Sequence, residues 1–574
     1  MGSERKIMLP LIPRRGAVAG ALLLCAFSSL ASFSTSRAQD FSVVEATIPQ
    51  MQAALREGRT TSRELVTQYL VRIALYGRTL NPVLSVNARA LAEADVLDHE
   101  RVAGILRGPL HGIPIALKDN IQTTEMPTTG GALAFEGLIP PYEATLTRNL
   151  RAAGAIIIAK TVMTELANWV VLGMPNNYSS LGGQSFNPYD PRRDPRPGLN
   201  DGRPVLPTGS SSSGAGTAAS LWAANIGTET TISIVGPASA NMLAAIKPTL
   251  GRVSRYGVIP VSLDQDSPGP MARTVTDAAL VLGAMEGTAP DPHDPATTRC
   301  RAPADRDYTR FLKADGLKGA RIGVPRAWFI DPYVLPGNDH PTGGIPRDQQ
   351  QMMGEVVEVL KAAGATVFDP ADLPSAVAPD PANNVLKKEL CQAKTDLRGH
   401  DAHCSVVLKF SFKRDFNAWL LGLGEAAPVK TLSELRAWNV AHASAGTLRY
   451  GQDLLDISDA EDLELDRARY EADRAQELRL AGAEGIDAVL KRYRLDALIF
   501  AGSRGGNVVA KAGYPTVIVP FGMVANGSGY PSGFIPKPAP LGVSFSGTAC
   551  SEPRLLELAY AFEQATARRR PPAL

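Results

Sequence analysis

GIPIALKDNI at residues 112–121 and TGSSSSGAGTAASLWAANIGTETTISIVGPASANMLAAIKPTLGRVSRYGVIPVSLDQDSPGPMARTVTDAALVL at 208–282 are the stretches on which the reading of this chain turns. The first is a short apolar run ending in Lys118, which predicts a buried strand with a charged group at its tip. The second is dense in Gly, Ser and Thr where a core would carry bulk. Small residues let a backbone approach a ligand closely and let successive amide N–H groups converge on one oxygen, as an oxyanion hole requires. Out of context each feature has an ordinary explanation. Lys118 reads as a surface lysine after an edge strand, like Lys160 after AIIIA at 155–159; Ser210 to Ser213 as a flexible turn; Ser233 as a strand serine.

The flanking sequence supplies the scaffold. Thr61 and Glu64 have the spacing of a capping box and open SRELVTQYLVRIALY, in which Leu65, Tyr69, Ile73 and Tyr76 share one helix face. Short apolar runs then alternate with helical ones: GIPIAL before Lys118, AIIIA, RIGV at 321–324, ATVF at 365–368, DALIF at 496–500 and PTVIVP at 515–520. That alternation predicts an α/β chain with a mixed, largely buried central sheet covered by helices on both sides. Residues 183–208, rich in Pro, Gly, Asn, Asp and Arg, form a long loop ahead of the serine cluster. Residues 385–480 read as a charged helical insertion of the kind that roofs a substrate cleft.

Taken together and in order, these blocks resemble the amidase signature family, and the match runs from the N-terminal helix to GFIPKPAPLGVSFSGTACSE at 533–552. Within the family the likeness is to bacterial peptide amidases, through GTET, the KPT-GRVSR-G-IP run and GPMAR. The resemblance implies the family's fold, a mixed central β-sheet sandwiched by α-helices (α/β/α), and a triad of one lysine and two serines that works without metal or cofactor. Matched position by position, the lysine is Lys118, the acyl-accepting nucleophile is Ser233, and the bridging serine, joined through a cis peptide bond, is Ser211, the first of SSSG. A lysine accepts a proton only when neutral, and burial at a strand end favours that form. The bridging hydroxyl would relay the proton from Ser233 to Lys118 and return it to the leaving amine. A non-proline cis bond costs about 3–4 kcal/mol, so only a surrounding fold that imposes it retains it. Backbone N–H groups of Thr230, Thr231, Ile232 and Ser233 would hold the tetrahedral oxyanion.

The sequence departs from the family in two places. Thr231 and Ile232 stand where a glycine pair or Asp-Gly usually precedes the nucleophile, and β-branched residues tolerate positive φ badly. The separation of 22 positions from Ser211 to Ser233 is slightly shorter than usual, which leaves Ser210 and Ser212 open as alternative bridges. The expected reaction is hydrolysis of a small-molecule or peptide amide to acid and amine through an acyl-serine. Thr231 and Ile232 motivate a rival, a catalytically impaired binding relative. An amidotransferase subunit is the other.

The rest of the sequence bounds the setting. At 44% hydrophobic and 20% charged residues, the 574-residue chain can bury a large core, and its net charge of +2 carries no basic, aromatic-interleaved run for nucleic acid. Arg5, Lys6, Arg14 and Arg15 precede an apolar stretch from Ala17 to Leu30 and then Ser36-Arg37-Ala38, so residues 1–38 read as a cleaved export signal. Arg14-Arg15 leaves the route, general or twin-arginine, open. Residues 39–574 would then be a single exported domain, periplasmic or secreted, without a stable membrane anchor, as a monomer or homodimer. Of Cys300, Cys391, Cys404 and Cys550, the pair Cys391–Cys404 would close a short polar loop, while Cys550 in an apolar stretch also reads as a buried free thiol. His400, Asp401, His403 and Cys404 are too crowded for a familiar zinc spacing and read as a polar loop. The scattered histidines offer no base for a Ser-His-Asp triad, and the amidotransferase reading conflicts with export because its transfer-RNA substrate is intracellular.

Overall fold

Thr61 does open a helix, Ser62–Leu80: its hydroxyl accepts from the Glu64 N–H at 3.1 Å, and the Glu64 carboxylate accepts from the Thr61 N–H at 2.9 Å. Leu65 and Tyr69 on its inner face are fully buried. The computed structural model describes residues 41–574, so the putting forward of 1–38 as an export signal concerns residues outside those described. Residues 41–574 cluster as one compact unit. Among the described residues no helix is long and apolar enough to cross a membrane.

A mixed sheet of eleven strands, flanked by helices, runs through this unit. The strands are β1 (Val83–Val86), β2 (Pro114–Lys118), β3 (Ile156–Thr161), β4 (Ala224–Glu229), β5 (Ala244–Lys247), β6 (Ser267–Ala272), β7 (Arg321–Gly323), β8 (Thr366–Phe368), β9 (Ala497–Ala501), β10 (Thr516–Val524) and β11 (Ala539–Ser546). Across the sheet they lie in the order β1-β3-β2-β4-β6-β5-β10-β11-β9-β7-β8. β2 runs parallel to both β3 and β4, and β7 runs parallel to β8 and β9, whereas β4, β5, β6, β10 and β11 meet antiparallel. All six apolar runs picked out in the sequence are strands. β2, β3 and β9 are buried at every position, as continuous apolar runs in a sheet covered on both faces should be.

β6 is the strand the sequence hides, because Pro268 and Pro270 lack N–H groups and argue against a central strand. The register explains why they fit. Pro268 and Pro270 stand opposite Thr228 and Ile226 of β4, two apart and hence equivalent in the ladder, so their nitrogens face the other side. On that side pairing with β5 reaches only Met271 and Ala272. Gly269 between them is needed for space, since a Cβ there would lie 2.1 Å from the Ile246 carbonyl oxygen.

Two segments surround the middle of the sheet. Residues 183–208 are an ordered loop fastened by three Asp-x-Arg pairs: Asp190 with Arg192 at 2.7 Å, Asp194 with Arg196 at 2.6 Å and Asp201 with Arg203 at 2.6 Å. The region read as a helical insertion becomes helical only from Val407, with helices Val407–Gly422, Leu432–Ala441, Asp453–Asp459 and Arg467–Glu477; residues 385–406 before it are irregular. Its apolar face builds a second core with Phe135 and Trp169, Phe135 meeting Trp419 edge-on at 5.4 Å. It is also tied to the 261–266 loop: the Leu263 N–H donates to Asp415 at 2.7 Å and the Ser411 hydroxyl to Ser262 at 2.7 Å.

Cys391 and Cys404 form the expected disulfide, and Cys300 pairs with Cys550 across 250 residues. The free-thiol reading of Cys550 is therefore corrected. Cys550 lies past the end of β11, in a turn at φ 63°, and not inside the apolar strand.

Candidate active site

Lys118 ends β2 with no exposure to solvent. Its Nζ donates to the carbonyl oxygen of Thr228 at 3.1 Å and to the Thr228 hydroxyl at 3.0 Å, both neutral acceptors on the adjacent β4. Asn120 holds the same hydroxyl at 3.0 Å. Burial disfavours the ammonium and brings Lys118 down to about 7, an effect only partly offset by the carboxylates of Asp266 and Glu229. Among the described residues neither acid is hydrogen-bonded to it. Asp266, pushed up to about 6 by burial, accepts from the Thr230 hydroxyl at 2.5 Å and from the N–H groups of Val261 and Ser262 at 2.8 and 2.9 Å. Glu229, also raised by burial, accepts from the N–H groups of Ile234 and Val235 at 2.7 and 2.8 Å, where the helix Val235–Ala240 begins.

The serine cluster lies against β4. The Ser211 hydroxyl donates to the Ser233 carbonyl oxygen at 2.7 Å, and a Cβ on Gly227 would sit 3.4 Å from Ser211 Oγ. Because Leu117 pairs with Ile226, Gly227 is the next position across from Lys118, so Lys118 and Ser211 approach the same end of β4. Ser212 points elsewhere, bonding Ser185 of the 183–208 loop, and Ser213 accepts from Asn225 at 2.8 Å. Ser210 contributes its carbonyl oxygen to the Thr164 N–H at 3.2 Å. Of the three candidate bridges, Ser211 is the one whose hydroxyl meets Ser233.

Two expectations need correction. Among the described residues the cis peptide bond is Asp369–Pro370, so the bonds around Ser211 are trans. Ser212, already at helical φ −63° and ψ −12°, leads straight into the helix Ser213–Ala218. The hydroxyl relay is also not connected: among the described residues no hydrogen bond joins Lys118 to either serine, since Thr228 occupies Nζ and the Ser233 carbonyl occupies Ser211.

The segment before Ser233 is better preserved than its residues suggest. Neither Thr231 nor Ile232 takes a positive φ, so the β-branched side chains impose no left-handed strain. Among the described residues no acceptor is paired with the N–H groups of Thr231, Ile232 or Ser233, while those of Ile234 and Val235 are capped by Glu229. Unpaired N–H groups beside a nearly buried serine, 8% exposed, are what an oxyanion would use.

Thr228, Asn120 and Asp266 escaped the sequence reading, although each sits inside a quoted block: GTET, KDN and QDSPGPM. The polar loop near 400 behaves as one. Cys391, Asp396 and Cys404 come close enough for a metal, but the two sulfurs are bonded to each other. His403 faces Asp396 at 3.2 Å, and Asp401 faces Lys409 at 2.5 Å.

This arrangement has counterparts. The chain matches the amidase family over residues 64–396. A probable amidase of Arabidopsis thaliana is 33% identical over 541 residues, 93% of this chain and 92% of that protein. The crystal structure of the native peptide amidase from Stenotrophomonas maltophilia superposes with a TM-score of 0.77 at 37% identity, covering 92% of this chain and 98% of the other. An amidase family protein from Bacillus anthracis gives the same TM-score of 0.77 at 30% identity, over 95% and 96% of the two chains. The chain belongs to the amidase signature family and is a hydrolase of that family. Within it, the similarity extends to bacterial peptide amidases.

Proposed function

We propose that the chain hydrolyses a carboxylic amide to acid and amine or ammonia through an acyl-enzyme on Ser233, with Lys118 as the base and Ser211 as the relay. Neutral Lys118 takes the Ser211 proton as Ser211 takes that of Ser233, and Ser233 Oγ adds to the carbonyl carbon. The tetrahedral oxyanion is met by the N–H groups of Thr230, Thr231, Ile232 and Ser233. Collapse breaks the carbon–nitrogen bond, the leaving nitrogen receives the proton back through Ser211, and water releases the acid by the same route. From the resting arrangement this requires the Ser211 hydroxyl to turn from the Ser233 carbonyl toward Lys118.

The observation that carries the reading is Lys118, fully buried, bonded among the described residues to the two neutral oxygens of Thr228 and held at about 7. The similarity to the peptide amidase of Stenotrophomonas maltophilia supports a primary carboxamide as substrate, free or at a peptide C-terminus. The test is turnover of an amide and ester panel by the wild type and by Lys118→Ala, Ser211→Ala and Ser233→Ala. Loss in Ser233→Ala is expected, and retained turnover in that variant overturns the mechanism.

Export is proposed as well. The disulfides Cys300–Cys550 and Cys391–Cys404 support it, since such bonds persist in oxidising compartments. Terminal sequencing of the protein from its native host should find the mature chain starting near residue 39; an intact Met1 on a cytoplasmic protein contradicts export.

A further inference from the structure

The turn Gly502–Gly506, which follows β9, packs on the segment that leads into Ser233. A Cβ on Gly506 would come within 2.5 Å of Ile232 Cγ2 and 2.9 Å of the Thr231 carbonyl oxygen, so the two backbones touch. This turn sets Arg504 into the wall of a 440 Å³ cavity that Thr231 and Ile232 also line. Arg504 is half-buried, and among the described residues no carboxylate offsets its burial. Its Nη2 donates to the Gly344 carbonyl at 2.8 Å, and its guanidinium carbon lies 4.4 Å from the centre of the Trp328 ring.

Trp328 is itself held at φ 70°, a left-handed conformation that bulky residues rarely adopt and that is found where surrounding structure imposes it, often at ligand sites. Its N–H donates to the Asp331 carbonyl at 2.8 Å and its carbonyl accepts from the Gly344 N–H at 2.7 Å, which fixes the ring beneath Arg504. The other cations of the wall are engaged: Lys388 pairs with Asp473 at 2.8 Å, and Lys511 faces Glu477 at 3.6 Å. Glu389 also lines the cavity and is exposed; Phe329, Val385 and Leu386 make it apolar. A guanidinium drawn out of water without a counter-ion is costly, and an anionic group on a ligand is the partner it lacks.

We propose that Arg504, on its Trp328 platform, is a specificity-determining residue that binds a carboxylate on the acyl half of the substrate. The substrate class is then an amide whose acyl part is a short apolar chain ending in a carboxylate. This rests on the amide-hydrolase reading: when ammonia leaves, the departing side needs room for one nitrogen, and the cavity lined by Thr231 and Ile232, the two residues before Ser233, falls to the acyl half.

Glutaramate and pentanamide have equal carbon counts and differ in the terminal carboxylate, so ammonia release from each tests the site. The wild type is expected to favour glutaramate in kcat/KM by at least about tenfold. Arg504→Gln should bring that ratio close to one, Arg504→Lys should leave it intermediate, and Glu389→Gln, which removes the anion from the same wall, should raise it. A wild-type ratio near one, or an Arg504→Gln that slows both amides equally, overturns the proposal. Should neither amide turn over, calorimetric titration of glutaramate into Ser233→Ala separates the two readings. Saturable binding that Arg504→Gln abolishes upholds the subsite while amide hydrolysis fails; no binding overturns the subsite.

Discussion

Lys118 is the last residue of β2 and Lys160 the last but one of its parallel neighbour β3, and both are fully buried. Lys118 pairs with Thr161 and Lys160 with Leu117, so the two side chains leave opposite faces of the sheet. Burial lowers the affinity of both for a proton. What separates them is the partner. Lys160 meets the Asp119 carboxylate at 3.2 Å, with Thr128 and the Pro127 carbonyl at 2.8 and 3.0 Å, and is bound as one half of an ion pair. Among the described residues Lys118 has only the two oxygens of Thr228. Of these two lysines, Lys160 is held by its counter-ion as a structural cation, and Lys118, bonded to neutral oxygens, is the one suited to accept a proton.

The largest expected effects would break this comparison if they came out alike. Lys118→Met should cut kcat/KM by about 10²–10⁴-fold, the range for losing a general base, with an unchanged circular dichroism spectrum. Lys160→Met should instead strand Asp119 and cost about 3–5 kcal/mol of stability, read from urea unfolding, while the folded fraction keeps its activity. A Lys160→Met protein that is stable but inactive would place the base on the wrong strand.

The pH dependence of stability sharpens the contrast. The folded Lys118 takes up its proton only below about 7, whereas an unfolded lysine titrates near 10.5. Between those values the unfolded state binds more protons, so the penalty for burying Lys118 is full below about 7 and fades as pH rises toward 10.5. Lys118→Met should therefore gain stability over wild type at pH 6 and lose that advantage by pH 10, as chemical denaturation at the two pH values would show.

Smaller effects probe what surrounds Lys118. Thr228→Val removes the hydroxyl that Lys118 and Asn120 share and should lower kcat by about tenfold, with Thr228→Ser restoring it. Ile232→Gly should change kcat by less than about tenfold, because the donors offered to the oxyanion are backbone N–H groups that any residue supplies.

The scaffold was legible where its chemistry is local. The capping pair Thr61 and Glu64 and the six continuous apolar runs each mark an element by themselves. β4 and β6 were not legible as strands, since Gly227, Thr228 and the two prolines of β6 fit only because of which neighbour each edge faces. At the site, Lys118 and Ser233 were found through their blocks, but Lys118 and Lys160 follow equally apolar runs. The choice between them depends on Asp119 turning to the face of Lys160, a relation that exists only once β2 and β3 are paired. The role of Thr228 was hidden for the same reason, as it acts 110 residues from Lys118. Resemblance supplied the cis bond, and the trans backbone around Ser211 shows where it did not carry over.

The most direct test is the rate at which a fluorophosphonate labels Ser233, followed by peptide mass spectrometry across pH in the wild type and in Lys118→Met. The expected result is an adduct on Ser233 whose rate of formation rises through pH about 7 in the wild type, and in Lys118→Met a slow rate without that rise. An adduct on another residue, or the same rise in Lys118→Met, would contradict it.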